Sequence, residues 1–156
     1  MCMITHWQKP RTAKRNITCY KMLYDYDSKI LRSIIANFEY IPYREYICKD
    51  PFKAYFNNYG NISAWDGKTR EVYGISQNKP IHIDDLEIMN LTAISTGFHS
   101  FETLGRAIHS GFNRTWSFYK CTIRKGSLYY KSKDNLIVSD KIIINHKIDK
   151  YGKEER

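Results

Sequence analysis

The fold is decided by three segments: STGFHSFETLGRAIH (residues 95–109), YKCTIRKGSLYY (residues 119–130) and DNLIVSDKIII (residues 134–144). Their order of apolar and polar residues predicts a strand, a turn and a helix, followed by further strands. β-branched and aromatic residues are concentrated in the second and third segments, as is typical of strands. Because polar and aromatic residues cluster at the turns, we expect any binding site to lie in this part of the chain.

The first segment predicts a helix that begins near Ser100, since serine is a favoured N-cap. Glu102 in the first turn suits the helix dipole, and Gly111 is a suitable residue to end the helix. The apolar side chains share one helical face: Phe101, Leu104, Ala107 and Ile108.

The preceding part of the chain is less regular. ITCYKMLYDY (residues 17–26) predicts a strand, whereas ILRSII (residues 30–35) fits either a short helix or a strand. Residues 40–90 show no clean period, and such a segment forms either a binding loop or a rigid set of short strands.

These patterns predict one compact α+β domain over residues 17–148, mainly antiparallel sheet with a few short helices. We expect residues 1–16 to form a flexible basic arm and residues 149–156 a charged tail.

Charge and composition favour an anionic partner. The chain has 156 residues, a formal net charge of +9 and a sequence pI of about 9.3. Aromatic residues make up 15 %, among them 13 tyrosines, which offer large contact areas with polar tips. Tyrosines also fill ordinary strand positions, so their number alone does not identify a binding surface.

The sequence lacks the motifs that mark several kinds of metal binding and catalysis. The four cysteines form no CxxC pair and the five histidines have no paired ligand spacing, so we expect no metal. There is no G-x-S-x-G, no phosphate loop, no dinucleotide fingerprint and no conspicuous pair of carboxylates. We therefore expect no catalytic residue and no cofactor.

The chain also lacks a signal-peptide pattern and an apolar run of about 20 residues. We expect a cytoplasmic protein with reduced thiols and no contact with a membrane.

The GFHSF turn (residues 97–101) is one candidate binding segment. Gly97 permits a tight turn, and His99 and Ser100 stand where the chain is expected to enter the helix. Free backbone amides at that point favour an anion. Plain helix capping by Ser100 is the alternative explanation of this pattern.

The RKGSLYY segment (residues 124–130) is the other candidate. Arg124 and Lys125 lie at its turn, and strand alternation sends Tyr129 and Tyr130 to opposite faces. One ring can stack on a base while the basic pair meets phosphate. Alternatively, one tyrosine packs in the core and the basic turn is simply solvated.

Two resemblances add to this interpretation. GFHSF, the later IRKGSLYY and IVSDKI resemble segments of small uncharacterised proteins encoded by phages and prophages. The resemblance covers roughly residues 92–145, with the YKML of residues 20–23 matching loosely. It implies a viral accessory protein in the cytoplasm of a host bacterium, without implying a reaction.

The order of elements also resembles the ADP-ribosyltransferase fold of the poly(ADP-ribose) polymerase type. Tyr20 and Lys21 match its first motif, residues 97–101 its second and residues 134–140 its third. Lys21 then replaces the histidine that grips the cofactor ribose, and Asn135 replaces the catalytic glutamate. The resemblance implies a nucleotide-shaped cleft without the usual transferase chemistry.

Together these observations predict a non-catalytic binding protein for a nucleotide or nucleotide-derived immune signal, which counters host defence. An ADP-ribosyltransferase-like or NAD-processing enzyme is one alternative, and an inhibitor that binds nucleic acid or a host defence protein is another. The residues expected to contact the ligand are Tyr20, Lys21, Gly97, His99, Ser100, Arg124, Lys125, Tyr129, Tyr130 and Asn135.

Overall fold

The computed structural model describes residues 3–6, 10–27, 30–33, 38–58, 61–65, 71–74, 80–82, 91–110 and 116–155. Within these ranges the chain is mostly antiparallel sheet with one short helix, α1 Leu104–His109. The strands are β1 Met3–His6, β2 Arg11–Thr12, β3 Ile17–Asp27, β4 Ile30–Ser33, β5 Glu39–Tyr40, β6 Glu45–Ile47, β7 Ala54–Asn58, β8 Asn61–Trp65, β9 Glu71–Gly74, β10 Pro80–His82, β11 Leu91–Ile94, β12 Phe98–Phe101, β13 Trp116–Ile123, β14 Leu128–Lys131, β15 Leu136–Ser139 and β16 Lys141–Ile148.

The larger sheet has the order β2-β14-β15-β12-β3-β13-β16-β6, with β4 beside β3 and β5 beside β4. Its centre is the long pair of β3 and β13, which stay in register from Ile17↔Ile123 to Tyr24↔Trp116. The strand expected over residues 17–26 is confirmed here, since its β-branched and aromatic residues suit a central strand.

The smaller sheet has the order β1-β11-β7-β8-β9-β10. β11 belongs to this sheet and β12 to the larger one, so residues 95–97 connect the two. Backbone hydrogen bonds join this connection, residues 95–97, to residues 52–53. The Phe52 amide donates to the Thr96 carbonyl at 3.0 Å, and the Ser95 amide donates to the Lys53 carbonyl at 2.9 Å.

Side chains of β3 alternate between two hydrophobic clusters, because successive residues of a strand face opposite sides. Cys19 and Leu23 enter the main cluster, which also contains Phe98, Cys121, Ile142 and Ile144. Met22 enters a second cluster with Phe101, Ala107 of α1, Phe118 and Ile148. The larger sheet is therefore covered by α1 on one face and encloses the main cluster on the other.

A fork in the larger sheet creates the space for a site. β13 occupies one edge of β3 throughout residues 17–24. The other edge is shared: β12 reaches it at Tyr20, and β4 joins it from Leu23 onward. Lys21 and Met22 lie between these two points, where β12 and β4 diverge.

The expected start of the helix at Ser100 is wrong. Residues 98–101 form β12, which pairs with β15 from Phe98↔Ser139 to Phe101↔Leu136. The N-cap is Thr103, whose Oγ1 accepts a hydrogen bond from the Arg106 amide at 3.2 Å. Strand pairing of residues 98–101 with β15 is favoured over a helix start at Ser100, because the pairing buries Phe98 and Phe101 on opposite faces of the sheet. Gly111, the expected helix end, lies outside the described residues.

The third segment of the sequence analysis, residues 134–144, does not form one continuous strand, because it breaks at Asp140 into β15 and β16. The Asp140 amide donates to the Leu128 carbonyl at 3.0 Å, and its Oδ1 accepts from the Leu128 amide at 2.9 Å. Residues 1–16, the expected arm, contribute β1 and β2 to the two sheets.

Candidate functional site

A cavity of about 350 Å³ opens at the fork between β12 and β4. Its volume falls at the lower end of the range of about 300–1,000 Å³ that is usual for small-molecule sites. Its wall is rich in aromatic side chains: Phe38, Tyr40, Phe98 and Phe101. Its polar groups include Lys21 and His99. The cavity thus combines an apolar wall with a small number of polar groups, as ligand sites do.

The aromatic wall is packed in edge-on and tilted contacts. Phe38 lies 4.9 Å from Tyr40 and 6.0 Å from Phe98, measured between ring centroids. Tyr46 supports this group at 5.5 Å from Phe38. Burial raises the pKa of Tyr40, so its hydroxyl stays protonated. Phe38 is 42 % exposed and lies at the open side of the wall, where it can meet a planar ring.

Lys21 is the only buried cation among the described residues, with 9 % of its surface exposed. Its ammonium donates a hydrogen bond to the His99 carbonyl and lies 5.7 Å from the centroid of the Tyr40 ring. No carboxylate in the described part of the chain pairs with it. Burial lowers the pKa of Lys21, because the charged form loses hydration.

His99 is held by two backbone carbonyls. Its Nδ1 lies 3.2 Å from the Gly97 oxygen and its Nε2 lies 3.2 Å from the Ile94 oxygen. Burial and the Lys21 charge lower the pKa of His99 to about 4, so the ring is neutral near pH 7. A neutral imidazole donates from one nitrogen only. One of the two carbonyls therefore faces a ring lone pair.

A buried thiol pair lies beside Lys21. Cys19 of β3 stands directly opposite Cys121 of β13, and both are fully buried. Hydrogen bonding by Cys121 lowers the pKa of Cys19, while burial raises the pKa of Cys121. Ser100 is also buried in this region, and its hydroxyl has no nitrogen or oxygen partner among the described residues. Cys19, Cys121 and Ser100 do not belong to the described cavity lining, which includes Cys48.

Gly97 lets the chain turn closely over β15. Its φ is +118°, and an added Cβ would lie 2.6 Å from Val138 Cγ1 and 3.1 Å from the Ser139 oxygen. Only glycine combines this conformation with so close an approach. The turn thereby directs the backbone of residues 97–99 along the cavity.

Three residues predicted from the sequence are brought together at the cavity: Lys21, Gly97 and His99. Tyr20 packs against the second cluster and does not belong to the described lining of the cavity. Asn135 has a φ of +60°, and its carbonyl accepts from the Glu102 amide at 2.8 Å. It precedes β15 at the end that pairs with Phe101, away from Gly97.

The remaining predicted residues lie elsewhere. Tyr130 is fully buried, with its ring centroid 4.8 Å from that of Phe52, whereas Tyr129 is half-buried and faces a second groove. Arg124 and Lys125 are exposed at the β13–β14 turn. Arg124 reaches Glu45 at 3.9 Å, and the Lys125 amide donates to Asn16 Oδ1 at 2.9 Å.

The aromatic wall contributed by residues 38–40 was not predicted from the sequence. Phe38 and Tyr40 are two positions apart, so in an extended segment they share a face. This spacing of two aromatic residues could have indicated a shared face. It was not used, because the residues that follow show no regular period of apolar positions. Cys48 was missed because its position depends on a contact distant in sequence, the 2.8 Å bond from its amide to the Asp140 carbonyl.

The second groove has a volume of about 890 Å³ and a basic lining. Its cationic side chains are Arg11, Lys14, Arg15 and Lys131. Lys131 bonds to Glu102 at 2.6 Å, and Glu102 is the groove's carboxylate among the described lining residues. We call this feature the basic groove.

The described residues contain no cluster of three or more His, Cys, Asp and Glu side chains that could hold a metal ion. The part of the chain that the structure describes contains no helix long and apolar enough to span a bilayer. Comparisons of the chain with known protein families, with curated proteins and with solved structures find no match.

Proposed function

We propose that this chain is a non-catalytic binding protein, which holds an anionic ligand with a planar ring in the cavity at the sheet fork. The ligand class we favour is a nucleotide or a nucleotide-derived signal. The observation that carries the proposal is the buried ammonium of Lys21, which lacks a carboxylate partner among the described residues and borders an aromatic cavity.

Charge is the first argument. A buried ammonium is costly unless an opposite charge or several hydrogen bonds compensate it. The His99 carbonyl and the Tyr40 ring compensate it in part. A phosphate or carboxylate of a ligand supplies the missing negative charge, so ligand binding and Lys21 protonation favour each other.

The aromatic wall is the second argument. The ring centroids of Phe38, Tyr40 and Phe98 lie between 4.9 and 6.3 Å apart, and the rings are tilted or edge-on to each other. Such a wall contacts a nucleobase over a large apolar area, and offset stacking adds to this burial. The volume of about 350 Å³ suits one base with its sugar better than an entire dinucleotide.

The absence of a carboxylate from the described cavity lining supports a binding role rather than a catalytic one. Glycosyl transfer generally uses carboxylates beside the anomeric carbon of the sugar. Asn135, which matches the catalytic position in the transferase resemblance, lies four positions along β15 from Ser139, the partner of Phe98. At about 3.3 Å per residue this is roughly 13 Å along the strand.

A phage-encoded protein with this cavity would act by sequestration: it lowers the free concentration of a host immune nucleotide. This part of the proposal rests on the resemblance of residues 92–145 to phage proteins and on the basic charge. Expression of the chain should then restore plating of a sensitive phage on a host with nucleotide-signalled defence.

Isothermal titration calorimetry tests the binding proposal. The panel is adenosine monophosphate, cyclic di- and trinucleotides, NAD and ADP-ribose, with adenosine as an uncharged control. We expect one or more of the anionic members to bind one to one, and adenosine to bind more weakly. Failure of every member to bind overturns the proposal. Mass spectrometry of NAD incubated with the protein separates binding from catalysis, since cleavage of NAD rejects the non-catalytic role.

A further inference from the structure

We infer that the basic groove is a separate binding site for the phosphate backbone of single-stranded nucleic acid. The inference does not depend on the cavity at the sheet fork, because the two sites share no lining residue among those described. It rests on the fixed position of the basic segment, on its unpaired charge and on the tyrosine in the groove.

The basic segment of residues 11–16 is anchored to the sheet. β2 pairs with β14 through Arg11↔Tyr129 and Thr12↔Leu128. The Ala13 amide donates to the Ser127 carbonyl at 2.8 Å, and the Ala13 carbonyl accepts from the Gly126 amide at 2.8 Å. The backbone that carries these cations is thus positioned before a ligand arrives, which reduces the entropy lost on binding.

The charge of the groove is unbalanced. Arg11, Lys14 and Arg15 are exposed and form no ion pair with any described residue. Glu102 is engaged by Lys131 at 2.6 Å and cancels that one charge. Three positive charges therefore remain along one groove, and a phosphate backbone releases counterions when it neutralises them.

Tyr129 favours a single strand over a duplex. The ring is half-buried and lies in the groove beside the cations, with its backbone opposite Arg11. An aromatic ring in a basic groove can stack with a base only when that base is neither paired nor stacked on both sides by other bases. A duplex keeps its bases stacked inside, so it can use the cations but not the ring. The volume of about 890 Å³ exceeds that of the aromatic cavity and suits a continuous strand.

Fluorescence anisotropy with a labelled twelve-nucleotide strand of thymidylate tests the inference. A strand of uridylate and a duplex of the same length are the comparison ligands. We expect both single strands to bind more tightly than the duplex. Three phosphate contacts predict a slope of about −2 for log affinity against log salt, at about −0.7 per contact. Absence of binding at low salt, equal affinity for duplex or a flat salt dependence each overturns the inference.

Variants separate a defined groove from diffuse attraction to a basic protein. Arg15→Gln should weaken binding and flatten the salt slope by about 0.7. Lys133→Gln is the matched control, since Lys133 is exposed on a turn and does not belong to the groove's described lining. Equal losses in the two variants would mean diffuse binding and would contradict the inference.

Two further variants address the groove's chemistry. Glu102→Gln removes the negative charge that Lys131 contacts in the groove, so it should strengthen binding. Tyr129→Leu keeps apolar packing but removes the ring, and should weaken single-strand binding roughly fivefold or more without changing the salt slope. Unchanged affinity in both variants rejects the groove as the site. Thermal melting of each variant confirms that it remains folded.

Discussion

The ammonium of Lys21 donates a hydrogen bond to the backbone carbonyl of His99, which is 78 positions away in the sequence. The bond joins β3 to β12 at the point where β4 takes over the edge of β3. One buried cation therefore both bridges the fork and borders the cavity that the fork creates. Lys21 therefore contributes to the stability of the fork and, in the proposed function, to the affinity of the cavity for its ligand.

The neutral state of His99 makes stability depend on pH. Its pKa falls from the ordinary 6.5 to about 4 in the folded chain. Between these values the unfolded chain binds a proton that the folded chain does not, so stability is full above pH 6.5 and declines as pH falls toward 4. The loss amounts to about 3 kcal/mol, from about 1.4 kcal/mol per pKa unit.

Urea unfolding at several pH values between 7.5 and 4.5 measures this decline. His99→Asn should flatten the curve relative to the unmodified chain. His109→Asn, at an exposed position at the end of α1, serves as the control for the replacement of a histidine outside the cavity. Identical pH dependence in the unmodified chain and in His99→Asn would contradict the assignment.

Gly97→Ala should destabilise the protein by about 2–4 kcal/mol. The substitution adds backbone strain at a φ of +118° and a Cβ only 2.6 Å from Val138 Cγ1. Gly126→Ala, with a φ of +90° and open space around it, isolates the strain and should cost about 1 kcal/mol. Chemical denaturation of both variants gives the comparison. A smaller loss at Gly97 than at Gly126 would show that the close approach to β15 is relaxed in solution.

The thiol of Cys48 should report occupancy of the cavity. Cys48 is partly exposed and lines the cavity, whereas Cys19 and Cys121 are fully buried. In a Cys2→Ser background we expect one thiol to react with N-ethylmaleimide in the folded state and two to react only on unfolding. A bound nucleotide should slow the labelling of Cys48. If a saturating ligand leaves the labelling rate unchanged, that ligand binds elsewhere.

Period-two patterns account for what the sequence could predict. β3 and β13 carry runs of β-branched and aromatic residues, and the pattern identified both. Alternation also placed Tyr129 and Tyr130 on opposite sides, and one lines the basic groove while the other is buried. These features depend on neighbours in the sequence.

The remaining features depend on pairing between distant segments. Ser100 has the local sequence signature of an N-cap, but it lies in β12 because residues 98–101 pair with β15. The fork at Lys21 requires β12 and β4 to meet the same edge of β3, which no local pattern records. Consequently the sequence identified Lys21, Gly97 and His99 as candidates but could not show that Phe38, Tyr40 and Cys48 complete their cavity.

Lys21→Met tests the central claim most directly, because it removes the charge while keeping most of the side-chain volume. Removing the buried charge stabilises the fold and losing the bond to the His99 carbonyl destabilises it, so Tm should change little. Lys49→Met, at an exposed position outside the described cavity lining, changes net charge equally and is the control.

The decisive measurement is the calorimetric affinity of the tightest-binding nucleotide for the unmodified chain and for these two variants. A charge-assisted contact is worth about 1.5–3 kcal/mol, so Lys21→Met should weaken binding at least tenfold. Lys49→Met should bind as the unmodified chain does. Equal affinity of Lys21→Met and the unmodified chain would contradict the claim that Lys21 holds the anion.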